Sequence, residues 1–147
     1  MDRGVAVLLT AFAGGLVAMQ APINAHLSRA VGSLPAASIS FGTGLVALVS
    51  ITVLAGGGFG RVGEVGGLSW YYLLGGLLGA VYVTTVLISV KTLGAGGVTA
   101  ATIAGQLALS VILDRFGVLG LDERAITWDK LLGIGLLAAG TLLVVRE

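Results

Sequence analysis

The stretch VAVLLTAFAGGLVAMQAPINAHL, residues 5–27, contains no Asp, Glu, Lys or Arg, yet it places Gln20, Pro22, Asn24 and His26 within seven positions near its end. A helix that crosses a membrane needs about 20 mostly apolar residues, each rising ~1.5 Å through a hydrocarbon core of ~30 Å. This run is long enough and apolar enough to do so. In hydrocarbon a polar side chain must find a partner, face a water-filled cavity or incur a desolvation cost. The two amides, the proline and the imidazole therefore need a reason.

The rest of the chain follows the same pattern. Its 147 residues are 56% hydrophobic and 10% charged, with a mean hydropathy of +1.06. Soluble domains carry about 25% charged residues, so there is too little charge here to solvate a soluble surface of this size. The 25 glycines sit among Leu, Val and Ala, where small residues let transmembrane helices approach closely. The chain has no cysteine and one histidine, and its few acids cluster near segment ends. Disulfides and thiolate metal sites are excluded, no metal-ligand cluster is formed, and no cofactor is implied. A net charge of +1 gives no argument for nucleic acid.

Five apolar windows follow, at about residues 4–27, 35–55, 68–90, 96–116 and 128–145. They predict an all-α, polytopic membrane protein with five transmembrane helices in one domain, residues 1–147. Pro35 suits the first turn of the second span. The glycine-rich linker GGGFGRVGEVGG precedes the third span, which stops at Lys91, and the connector LDERAITWDK precedes the fifth, which Arg146-Glu147 closes. The first apolar run exceeds the ~7–15 residues of a signal-peptide core, so it is read as a retained span.

Basic residues are nearly balanced across the membrane. Arg3, Arg61, Arg115, Arg124 and Lys130 fall on the N-terminal side, and Arg29, Lys91 and Arg146 on the other. Without Arg115, which adjoins Asp114 at a helix end, the count is four against three. Such a near-tie gives the positive-inside rule little to act on and permits insertion in both orientations.

The run MQAPINAHLSRAVGSLPAASISFGTG resembles the YdcZ-type inner-membrane exporters of the drug/metabolite transporter (DMT) superfamily. The shared features are Gln20 and Asn24 around Pro22, then V-G-S-x-x-A-A-x-I-S-F-x-x-G entering the second span. Gly105-Gln106, Ser110 and Asp114-Arg115-Phe116-Gly117 form a later match. The resemblance covers essentially the whole chain. It implies a half-size, five-span member, located in the bacterial inner membrane, that pairs as an antiparallel (inverted) dimer. Two oppositely inserted copies, identical or paralogous, would complete the inverted repeat of the ten-span transporters.

Helical spacing then selects the candidate site. Gln20 and Asn24, four apart, share a face, and Pro22 between them has no N–H to give to the carbonyl of Ala18. In the fourth span Thr99, Thr102, Gln106, Ser110 and Asp114 recur at intervals of 3, 4, 4 and 4, a single polar stripe opposite an apolar face that includes Ile103, Leu107 and Val111. In the third, Tyr82 lies at mid-depth with Thr85 and Ser89, while Gly75 and Gly79 form a G-x-x-x-G suited to close helix contact. Trp70, Tyr71, Tyr72 and Trp128 read as interfacial anchors.

Gln20, Asn24, Tyr82, Gln106 and Ser110 are therefore the candidate substrate-binding residues. Asp114 and His26 are candidates for coupling or for guarding the mouth of a pathway. For each of these a packing role stands beside the binding one: amides as interhelical glue, Ser and Thr bonded to their own helix, and Asp114 in an interfacial pair with Arg115. No acid lies deep in any span, so proton exchange through a buried first-span carboxylate, as the resemblance to small multidrug-type relatives suggests, has no group to carry it.

The functional expectation is a transporter or exporter of a small metabolite or drug-like solute, working by alternating access at a dimer midplane within the lipid bilayer. Neutral or weakly polar solutes suit such a lining. The alternative is a non-transporting assembly or regulatory subunit whose polar stripe packs helices. An enzyme is not expected: no deep His/Asp/Ser set exists, and GGGFG lacks the Lys-Ser/Thr of a phosphate-binding loop.

Overall fold

A computed structural model describes residues 2–146, and Glu147, read above with Arg146 as closing the last span, lies outside the described residues. The described residues are all helical or irregular, with no strand among them. Four long helices run over Arg3–Val31 (α1), Ser33–Leu54 (α2), Leu74–Phe116 (α3) and Trp128–Val145 (α4). All four are long and apolar enough to cross a membrane.

Four of the charges sit where helix dipoles favour them. Asp2 caps α1, its Oδ2 accepting from the Gly4 N–H at 3.2 Å, and Arg29 lies in the last turn. Arg115 occupies the last turn of α3, and Asp129 the first turn of α4. Acids at N-termini and bases at C-termini each offset the partial charge of unpaired backbone groups.

A single residue, Gly32, joins α1 to α2 with φ 89° and ψ 162°. That conformation is essentially confined to glycine. Its N–H closes α1 on the Ser28 carbonyl at 2.9 Å, and its own carbonyl accepts from Ala36 at 3.1 Å. Pro35 follows within the first turn of α2.

The third and fourth apolar windows both fall in α3, whose two helical parts meet at a kink at Gly94. With the short 3₁₀ turn Trp70–Leu73 that leads into it, α3 covers 47 residues. On either side of Gly94, residues 74–93 and 95–116 are each about 30 Å long at ~1.5 Å per residue, enough for one hydrocarbon core of ~30 Å apiece. The helix does not stop at Lys91 as the charge there suggested. It continues for two residues and breaks at Gly94 (φ 67°, ψ 172°), because a lysine is compatible with helix and a positive-φ glycine is not.

The glycine-rich linker is also more ordered than its composition suggests, with a 3₁₀ segment over Val62–Gly67. Beside it Arg61 meets Glu64 in a two-pronged pair at 2.9 and 3.0 Å. This guanidinium holds the Glu64 carboxyl below its ordinary range. Trp70 and Trp128, 72% and 85% exposed, stand at the starts of their helical stretches, and Trp70, Tyr71 and Tyr72 form an aromatic chain with centroid separations of 6.5 and 4.5 Å. Amphipathic rings at helix ends suit the headgroup region.

The chain divides into two compact units, Met1–Lys91 and Thr92–Glu147. In the first, Ala36, Ala37, Val83 and Leu87 form a small core against which Leu27 and Tyr82 pack. Leu87 is the one large side chain that is fully buried among the described residues. Gly79 of α3 receives the ring of Phe41, since a Cβ there would lie 3.3 Å from Phe41 Cζ, whereas Gly75 meets no neighbour. Half of the expected G-x-x-x-G is thus a contact. In the second unit, Gly97 is buried and takes Val145 of α4: a Cβ would stand 3.4 Å from its Cγ2. Thr141 Oγ1 lies 3.0 Å from the Ala100 carbonyl and 2.8 Å from Leu137 O, so one hydroxyl links α4 to α3.

Gly32→Ala is expected to lower unfolding free energy by ~1–3 kcal/mol. The added methyl would meet Pro35 Cδ at an ordinary 3.7 Å, so the cost is backbone strain. Reversible unfolding in mixed micelles reads it, and an unchanged midpoint would contradict the account of the turn.

Candidate functional site

Polar side chains inside α1 and α2 divide sharply in their surroundings. Asn24, 6% exposed, donates from Nδ2 to Ser40 Oγ at 3.0 Å, bridging the two helices. Ser28, also buried, donates to its own helix at the Ala25 carbonyl. Ala21, Asn24 and Ser28 are the buried positions of α1. They recur at intervals of three and four, so one face of the helix's C-terminal half meets the rest of the unit. Gln20 lies one turn before Asn24 and is exposed, without a hydrogen bond among the described residues. Pro22 lies within an unbroken α1. The shared face therefore does not give the two amides a shared environment.

The register set by Asn24 and Ser40 places Gln20 one turn along α1 and Gly44 one turn along α2. A Cβ at Gly44 would meet nothing within 4 Å. The hairpin is closed at Asn24–Ser40 and open one turn beyond it. His26 is exposed near the end of α1. Tyr82, half-buried, packs its side against the core of the first unit, and its hydroxyl forms no hydrogen bond among the described residues.

In the second unit the polar stripe of α3 faces outward at its centre. Val98 and Val111 are buried, whereas Gln106 and Ser110 are exposed and Thr99, Thr102 and Asp114 are half-buried. Ser110 donates to the Leu107 carbonyl at 3.0 Å, which removes its need for a further acceptor. Gln106 cannot satisfy itself so readily and has no partner among the described residues. Asp114 and Arg115 form no ion pair. Neighbours at i and i+1 leave a helix about 100° apart and do not face each other, and the salt bridge formed among the described residues is Arg61–Glu64. The Asp114 backbone carbonyl instead accepts from Arg124 N–H at 2.8 Å, tying the connector to the end of α3.

Two interhelical contacts escaped sequence reasoning, Ser40 as the partner of Asn24 and Thr141 as a crosslink. Each is one hydroxyl among many, and no spacing rule distinguishes the one that crosses to another helix. A shallow recess of about 380 Å³ on α1, lined by Arg3, Ala6, Val7, Thr10 and Ala11, includes none of the candidate residues.

A helical chain with several membrane-crossing segments, polar groups at depth and charges confined to the ends is a multi-pass membrane protein. Residues 5–143 match the family described as "Putative inner membrane exporter, YdcZ", and the chain belongs to that family. It is similar to "Inner membrane protein YdcZ" of Escherichia coli (strain K12), 34% identical over 106 residues that cover 71% of this chain and 69% of that protein. No solved structure matches the chain. The protein is thus a multi-pass inner membrane protein of an exporter family.

If Asn24–Ser40 holds the hairpin, Asn24→Ala and Ser40→Ala will not be additive. Interhelical side-chain hydrogen bonds in membranes average ~0.6 kcal/mol and reach ~1.7 kcal/mol. A double-mutant cycle in mixed micelles should give a coupling energy in that range, and strict additivity would mean the bond stabilises nothing.

Proposed function

We propose that the protein exports a small solute by alternating access, as an antiparallel pair of chains that holds the solute near the midplane between them. The observation that carries this reading is the outward-facing centre of the α3 stripe. Intramembrane polar groups almost always face a bundle interior or a water-filled cavity. Gln106, exposed on a membrane-spanning helix and without a partner among the described residues of its own unit, therefore calls for something beyond that unit. Membership of an exporter family supports a transported solute as part of the answer, and the near-even distribution of basic residues supports two copies inserted in opposite senses.

In this reading Gln20, Tyr82 and Gln106 offer hydrogen bonds to the solute, with Asn24 and Ser110 shaping their surroundings. Asp114 and His26 stand at the mouths. The partner is a second copy or a paralogue, and the lipid bilayer covers the remaining apolar faces. Open glycines such as Gly105, where a Cβ would meet nothing within 4 Å, leave room for helices or solute to approach. A stripe used only for packing is the competing reading, and the same exposed residues would serve it.

Gln106→Leu separates the two. A site role predicts an intact pair by crosslinking or mass measurement in detergent, with saturable solute flux in proteoliposomes reduced at least tenfold. Loss of the pair itself, or flux equal to that of the unaltered protein, would count against the site. Absence of saturable flux across a broad metabolite panel would count against transport altogether.

A further inference from the structure

The hydrogen bonds formed within the chain bear on what kind of solute the proposed site can hold. Several hydroxyls at depth are committed, while those of Tyr82, Thr84, Ser89, Thr99 and Thr102, all half-buried, form no hydrogen bond among the described residues. Thr10, Thr43, Ser50, Thr85 and Ser110 each donate to a carbonyl three or four residues back, and Thr141 lies within reach of two. Asn24 is committed to Ser40. Gln20 and Gln106 remain exposed and unbonded among the described residues, each with two N–H donors and a carbonyl acceptor. Fixed charges among the described residues lie in the connectors or near the ends of helical parts, Lys91 standing three residues before the break at Gly94.

A charged solute moved to the midplane would leave its hydration with no countercharge to replace it. A solute with paired neutral donors and acceptors would exchange its water hydrogen bonds for those of an amide. Sites built to bond a neutral polar group also reject analogues that leave those groups unpaired.

We propose that the solute is uncharged and presents an amide- or urea-like donor–acceptor edge, and that Gln106 is the specificity-determining side chain. This rests on the exporter reading above. Gln106 is chosen over Gln20 because it lies at the centre of its span, with Val98 and Val111 of the same helix buried and Gly105 beside it open. Replacing its amide nitrogen by oxygen, as in Gln106→Glu, keeps the shape and adds an acidic group.

The test uses the full chain in proteoliposomes and matched triplets that differ mainly in charge. Two such triplets are nicotinamide, nicotinate and 1-methylnicotinamide, and benzamide, benzoate and benzylammonium. Counterflow above protein-free vesicles is measured for each compound. The expected result is saturable flux of uncharged members at least tenfold above that of either charged member. Gln106→Glu, with an unchanged melting midpoint in detergent, should raise the cation-to-neutral flux ratio at least tenfold. Saturable flux that favours charged members would overturn the solute class and leave the exporter reading standing. A ratio unmoved by both Gln106→Glu and Gln106→Asn would overturn the role of Gln106. No saturable flux of any compound, charged or neutral, would sink the exporter reading on which the inference rests.

Discussion

A side-chain amide in hydrocarbon has no water to turn to, and this constraint governs both the fold and the site. Lipid tails are as apolar as leucine, so burying leucine against leucine gains little in a membrane. The structure reflects that. Among the described residues its fully buried large side chains reduce to Leu87, and Ala21, Ala36 and Ala37 supply much of the remaining core. Helices are held by small residues that allow close approach, as at Gly79 beneath Phe41 and Gly97 beneath Val145. They are also held by individual hydrogen bonds, Asn24 to Ser40 and Thr141 to Ala100, and by the one-residue turn at Gly32.

The same constraint separates scaffold from site. A polar group already bonded inside the chain is content in lipid, and its removal should be read as loss of structure. A polar group left exposed needs a partner from outside. Asn24 belongs to the first class and Gln20 to the second, although they are one turn apart on one helix. Gln106 belongs to the second as well. The proposed neutral solute gives these outward amides a partner, and the proposed inverted pair rests on the near-even distribution of basic residues.

Much of this was legible in the sequence, and the failures have physical causes. Low charge and long apolar windows gave the membrane class and the all-helical fold, because hydrocarbon admits few other solutions. Cap chemistry and interfacial aromatics were readable for the same reason: helix ends have fixed needs. The separation of the third and fourth spans was readable but its exact place was not, since Lys91 marks a membrane edge while the helix ends three residues on at Gly94. The Asp114–Arg115 pair was excluded by helical geometry that adjacency in sequence conceals. Asn24 and Gln20 looked alike by spacing. Only the position of α2, fixed by Gly32, determines which amide meets Ser40.

The claim at the centre of the account is that two copies in opposite orientations make the functional unit, and membrane sidedness tests it most directly. The chain has no cysteine, so single cysteines placed at Asp2 and at Arg124 report without background. Membrane-impermeant thiol reagents applied to intact cells, and then to inverted membrane vesicles, reveal which side each position faces. The account predicts that each cysteine labels from both sides, in comparable fractions that together reach completion. Labelling of every molecule from one side alone would contradict the inverted pair of identical chains.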